Sequence, residues 1–149
     1  MPAYPEKLES FLRTMDDIPN EVERSQVLVD YAEKFTPVPE DVAKKPYSDD
    51  HRVRFCESEA YVWSREQPDH TLKFYFAVEN PSGISAKALA FILDSTLSGE
   101  DPDRIAAVPM HIVERIFRQN ISMGKGMGLM SMVNAVAELA RKHLGQRTS

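Results

Sequence analysis

Apolar residues recur with two different periods along this chain, and the change of period divides it into three zones. In the first zone, Leu8, Phe11, Leu12 and Met15 fall at i, i+3, i+4 and i+7. That spacing lines one face of a helix and predicts an amphipathic helix from about Pro5 to Met15. Pro19 and Asn20 break the pattern, and Val27, Leu28, Tyr31, Ala32 and Phe35 carry a second stripe. A second helix is expected from about Glu21 to Lys34. Pro37, Pro39 and Pro46 follow. Proline lacks an amide donor and turns the preceding residue away from helix, so this stretch should run as extended loop.

The middle zone has period two. Leu72, Phe74, Phe76 and Val78 alternate with Thr71, Lys73, Tyr75 and Ala77, a strand pattern with one strongly apolar face. Arg52 to Phe55 and Ala60 to Ser64 are rich in β-branched and aromatic residues, and Gln67-Pro68-Asp69-His70 reads as a hairpin turn. Three short antiparallel strands are predicted, and so small a sheet must lay its apolar face on helices.

Helical spacing returns after a turn at Glu79 to Gly83. Ser85 reads as an N-cap. Leu89, Ile92, Leu93 and Leu97 form a stripe that ends near Gly99, and Asp101-Pro102 opens a further helix. Ile112, Val113, Ile116 and Phe117 mark a short helix. Leu129, Met132, Val133, Val136 and Ala140 mark a longer one, from about Met127 to Leu144, with Gly145 placed to end it. The sum is an α+β fold in which a small antiparallel sheet packs against N- and C-terminal helices.

A length of 149 residues suits one domain spanning 1–149. A hydrophobic share of 42% with 28% charged residues is the profile of a soluble globular protein. The net charge of -5 argues against a nucleic-acid partner, which requires a basic face. The most apolar run, Ala88 to Leu93, is too short to cross a bilayer, and no hydrophobic signal segment follows Met1. With a single cysteine, the chain can form no internal disulfide and no all-cysteine metal site. A lone thiol fits a reducing cytoplasm.

That thiol, Cys56, lies in His51-Arg52-Val53-Arg54-Phe55-Cys56-Glu57-Ser58-Glu59, between two strand patterns. A free cysteine is commonly a buried structural residue. Strand junctions, however, often display reactive groups. An extended strand would also place Arg52, Arg54 and Cys56 on one face, where guanidinium charge favours the thiolate. Glu57 and Glu59 would oppose this. His51 is near enough in sequence to raise a Cys–His pair. Gly124-Lys125-Gly126-Met127-Gly128 resembles a phosphate-cradling loop only weakly, since the P-loop spacing is absent, and reads better as a flexible turn. The four histidines are scattered without metal-ligand spacing, so neither a cofactor nor a metal is expected.

The stretch from Val53 to Trp63 resembles the active-cysteine segment of the SufE family. Val53, Cys56, Ser58 and Trp63 match its pattern, Lys87 and Leu89 fit the helix after the sheet, and Gly128-Leu129 resembles the pair opening the last helix. The similarity runs from about Phe11 to Leu144. It implies a protein that takes persulfide sulfur from a cysteine desulfurase, a pyridoxal-phosphate enzyme, and stimulates that enzyme for iron–sulfur cluster assembly. Cys56 would carry the sulfur. Arg52, Arg54, Phe55, Glu57, Ser58 and Lys125 would form the docking surface. The resemblance also implies an apolar pocket for the idle cysteine, admits a cluster scaffold as a second partner, and leaves a homodimer open. The chain departs from the family at Phe55, where glycine is usual, at Asn80-Pro81-Ser82, where an acidic turn is usual, and at Lys125, where arginine is usual. Such departures keep an alternative in view: a non-catalytic binding module of the same fold that has lost sulfur transfer.

Overall fold

A computed structural model of the chain describes residues 4–118 and 121–148, with the side chains of 147 and 148 outside the description. Six helices and a two-stranded sheet follow in the order α1 (Glu6–Asp16), α2 (Glu21–Lys34), β1 (Ala60–Glu66), β2 (Leu72–Val78), α3 (Ile84–Leu97), α4 (Pro102–Ala106), α5 (Ile112–Phe117) and α6 (Met123–Thr148). The α+β class therefore stands, with two strands rather than three.

The helices bury the stripes that their spacing marks. Leu8, Leu12 and Met15 of α1 are fully enclosed. Asn20 caps α2 by accepting a hydrogen bond from the Glu23 amide at 2.9 Å, and Leu28 and Ala32 face inward. Tyr31 of α2 stacks on Phe91 of α3 with ring centroids 5.6 Å apart. The central α3 buries Ala88, Leu89, Ala90, Ile92, Leu93 and Leu97. Its unusually apolar run belongs to a helix enclosed on most sides. Among the described residues, no helix is long and apolar enough to cross a membrane.

β1 and β2 pair antiparallel from Ala60 opposite Val78 to Glu66 opposite Leu72. Side chains alternate, so the sheet has two different faces. Val62, Leu72, Phe74 and Phe76 join the main core with the helices. Tyr61, Trp63 and Ala77 form a second cluster with Val38 on the other face, flanked by Val42 and Tyr47. The proline-rich connection is what covers that face. It is anchored where the Val38 amide donates to the Phe76 carbonyl at 2.8 Å.

Four local expectations are corrected. Arg52 to Phe55 is not a strand: it makes one bridge, Arg52 to Tyr61, and one hydrogen bond from the Val53 amide to the Ala60 carbonyl. A turn of 3-10 helix at Asp49–His51 shortens it on one side, and Phe55 leaves the extended region on the other, at φ 58°. Ser85 is not the cap of α3. Asn80 Oδ1 accepts from the Ser82 amide, the turn closes early, and Gly83 precedes the first helical residue. The glycine-rich segment is helical rather than a flexible turn, because α6 starts at Met123, with the Ser122 hydroxyl accepting from the Lys125 amide at 3.3 Å. Gly145 does not end α6, which continues to Thr148.

Candidate functional site

Cys56 sits in a short loop between the bridge at Arg52 and the start of β1. The chain enters this loop through Phe55 and leaves it through Glu59 at φ 53°, so two residues with side chains occupy the left-handed region. That region costs an L-residue roughly 1–2 kcal/mol. Phe55 thus stands in a conformation that glycine would adopt freely, and the loop keeps a glycine-like turn without glycine.

Neighbouring elements hold the loop in place. The Glu59 amide donates to the Cys56 carbonyl at 3.2 Å, and the Asn80 amide donates to the Ser58 carbonyl at 3.1 Å. Asn80 Nδ2 adds a longer contact to the Glu57 carbonyl at 3.4 Å. Two glycines let neighbouring groups approach closely, side chains at Gly83 and backbone at Gly128. A Cβ at Gly83 would lie 2.8 Å from Val78 Cγ1 and 2.9 Å from Ser58 Cβ; one at Gly128 would lie 2.8 Å from the Phe55 carbonyl oxygen and 3.0 Å from Cys56 Cα. The first turns of α6 therefore press directly on the cysteine loop.

The result is a thiol with 8% of its surface exposed, between two cavities. On the outer side lies an open cleft of about 860 Å³, lined by Asp49, Arg52, Arg54, Phe55, Glu57 and Met127 among others. Two large apolar side chains stand exposed beside its charged ones: Phe55 is 70% and Met127 48% exposed. On the inner side is a pocket of about 120 Å³, shared by Cys56 with Ser58, Asn80, Ser85, Lys125 and Leu129. Hydroxyl and amide groups line it beside apolar ones, while the Cys56 side chain packs in the main hydrophobic cluster.

Cys56 and the six residues that the resemblance marks for docking line these two cavities. Arg52, Arg54, Phe55 and Glu57 line the cleft with Cys56, and Ser58 and Lys125 line the inner pocket. The single shared face expected for Arg52, Arg54 and Cys56 does not form. Both arginines are exposed while the thiol turns inward, because the left-handed step at Phe55 ends the alternation. The Cys–His pair is not formed either. His51 stacks on Trp63 with centroids 5.3 Å apart, and its Nδ1 lies 3.2 Å from the Val62 carbonyl oxygen. Among the described residues, no group of three or more His, Cys, Asp or Glu side chains could hold a metal ion.

Sequence reading missed Asn80, Gly83 and Met127, which line the two cavities. Asn80 stood out only as a departure from a family turn, and Gly128 only as a helix-opening residue. Their contact with the loop is long-range, and local spacing carries no sign of it.

A family model described as "SufE: Fe-S metabolism associated domain" matches residues 9–140. No functionally curated protein matches significantly. Among solved structures, the chain is similar to the solution structure of a hypothetical protein from Thermus thermophilus. Identity is 27%, with 95% of this chain and 98% of that one covered, at a TM-score of 0.73.

Proposed function

Because the chain belongs to the SufE family and so has a role in iron–sulfur metabolism, we propose that it accepts sulfur on Cys56 from a cysteine desulfurase and stimulates that enzyme. The observation that carries this reading is the position of the only cysteine, set between an open cleft and a small inner pocket.

The chemistry is a thiol–persulfide exchange. The donor cysteine of the desulfurase carries a terminal sulfane sulfur. The Cys56 thiolate attacks that terminal sulfur, a new S–S bond forms, and the donor's S–S bond breaks. The donor leaves as a thiolate, and Cys56 holds the persulfide. One sulfur moves, no net oxidant is consumed, and the thiol proton passes to solvent. The Arg52 and Arg54 guanidiniums in the cleft wall offer positive charge to the thiolates that the exchange creates. The inner pocket offers a place for the loaded sulfur away from reductants. Arg52, Arg54, Phe55, Glu57, Ser58 and Lys125 form the docking face for the pyridoxal-phosphate enzyme. A cluster scaffold would receive the sulfur next, and the exchange suits a reducing cytoplasm.

Desulfurase turnover, measured as alanine release with and without the protein, checks this function. Wild type should raise turnover severalfold, and Cys56→Ser should not. The burial of Cys56 favours a second reading, a binding module without sulfur transfer. If Cys56→Ser stimulates as well as wild type, that second reading replaces the first.

A further inference from the structure

Far along the sequence from Cys56, where α1, α2 and α5 meet, lies a buried arginine with an unmet need. Arg24 of α2 is only 2% exposed. Its Nη2 donates to the Ile18 carbonyl at a long 3.4 Å, and its Nη1, fully enclosed, has no hydrogen-bond partner among the described residues. A guanidinium keeps its charge at any ordinary pH, so enclosing it without a close partner is costly. Burial, and next the nearby Arg118, pull its proton affinity below the usual arginine value, while Asp16 and Glu21 act the other way.

Arg24 also lines a pocket of about 200 Å³, with Ile18, Pro19, Asn20, Glu21 and Arg118, and its enclosed Nη1 lies behind that wall. No residue of this pocket lines either cavity at Cys56. Arg118 brings a second guanidinium. The carboxylate nearest to neutralising it, Asp16, is divided between two arginines: Arg115 Nη2 lies 2.7 Å from one oxygen and Arg118 Nη2 3.3 Å from the other. Asp16 is thus shared, with Glu9 also acting on Arg115, while Glu21 and Asp16 act on Arg24. The pocket also opens at the first turn of α2, whose positive dipole end is already met in part by Glu21, Glu23 and the Asn20 cap.

We propose that this pocket is a binding site for a small oxyanion, a phosphate or carboxylate group held between Arg24 and Arg118. Guanidinium forks match both groups in pairs of hydrogen bonds. The pocket is large enough for such a group with its water. Bound there, the anion would join the end of α1, the start of α2 and the end of α5. The site is independent of sulfur transfer.

The test is titration of the full chain with inorganic phosphate, and separately with acetate, at ionic strength held constant with sodium chloride. Arginine side-chain and backbone amide signals would be followed by NMR. A saturable shift at Asn20, Arg24 and Arg118 with a Kd in the millimolar range or tighter is expected for at least one of the two anions. Arg118→Gln should weaken it about tenfold or more, and Glu21→Gln, which removes a competing carboxylate, should tighten it severalfold. No saturable shift with either anion, shifts confined to Arg52, Arg54 and Lys125, or an affinity unchanged in both variants would overturn the proposal.

Discussion

The close approach of α6 to the cysteine loop makes Gly128→Ala the most informative single change. The new methyl group would stand 2.8 Å from the Phe55 carbonyl oxygen and 3.0 Å from Cys56 Cα, where ordinary contact begins at 3.4 Å. Moving from 2.8 to 3.4 Å requires a displacement of 0.6 Å, and both atoms are backbone, with no flexible end to bend away. Overpacking of this kind costs about 1–3 kcal/mol. Alanine in place of glycine also returns about 0.5–1 kcal/mol of helix propensity, which acts whether the loop is tucked or released. The propensity gain therefore leaves the loop equilibrium untouched. At about 1–3 kcal/mol against the tucked state, the released population rises about 5–150-fold. The second-order rate of Cys56 with an aromatic disulfide reagent should increase by a similar factor. Gly124→Ala is the control: its Cβ meets nothing within 4 Å, so it should stabilise α6 slightly and leave the thiol's rate unchanged. If Gly128→Ala reacts at the wild-type rate, or Gly124→Ala accelerates equally, the account of how Cys56 is held is wrong.

Other outcomes follow from the same geometry. Phe55→Gly should relieve the left-handed backbone and lose unfolded-state restriction, for a net gain of up to about 1 kcal/mol in urea unfolding; a clear loss would mean that the ring contributes more than its exposure indicates. The hydrogen bond from Arg115 holds the Asp16 carboxyl below its ordinary value. With the folded value below the unfolded one, the contribution is present above about pH 4 and lost as pH falls through the folded value. Asp16 is 38% exposed, so the contribution is discounted to about 0.2–1 kcal/mol. Asp16→Asn should therefore destabilise at pH 7, and the difference should shrink as pH falls below about 4; a constant difference would contradict the linkage. Leu93→Ala, which empties a fully buried position in α3, should cost about 2–5 kcal/mol by chemical denaturation.

Much of this fold is legible in the sequence because its helical stripes are regular and some helix starts carry clear signals. Asn20 and the stripe after it place α2 at its observed limits, and Asp101-Pro102 marks α4 as seen. What escaped reading depends on distant partners. The Arg52–Phe55 segment has strand-like composition, but a strand needs a neighbour over several residues, and the turns at Asp49 and Phe55 leave room for one bridge. The glycines at 124, 126 and 128 look like a loop because isolated glycine weakens a helix. Gly128 is tolerated in α6 because the cysteine loop occupies the space of its missing side chain. At the candidate site, the lone thiol and its flanking charges are visible as residues, while the inward turn of the sulfur and the roles of Asn80 and Gly83 arise only when α3 and α6 fold against them.

Intact-mass analysis after exposure to a persulfide-loaded cysteine desulfurase tests the central claim most directly. Sulfur acceptance predicts an adduct of about 32 daltons, one sulfur atom, on the wild-type chain, removed by a reductant and absent from Cys56→Ser. A wild-type chain that stays at its unmodified mass, while the desulfurase passes its sulfur to another acceptor in the same assay, would contradict it.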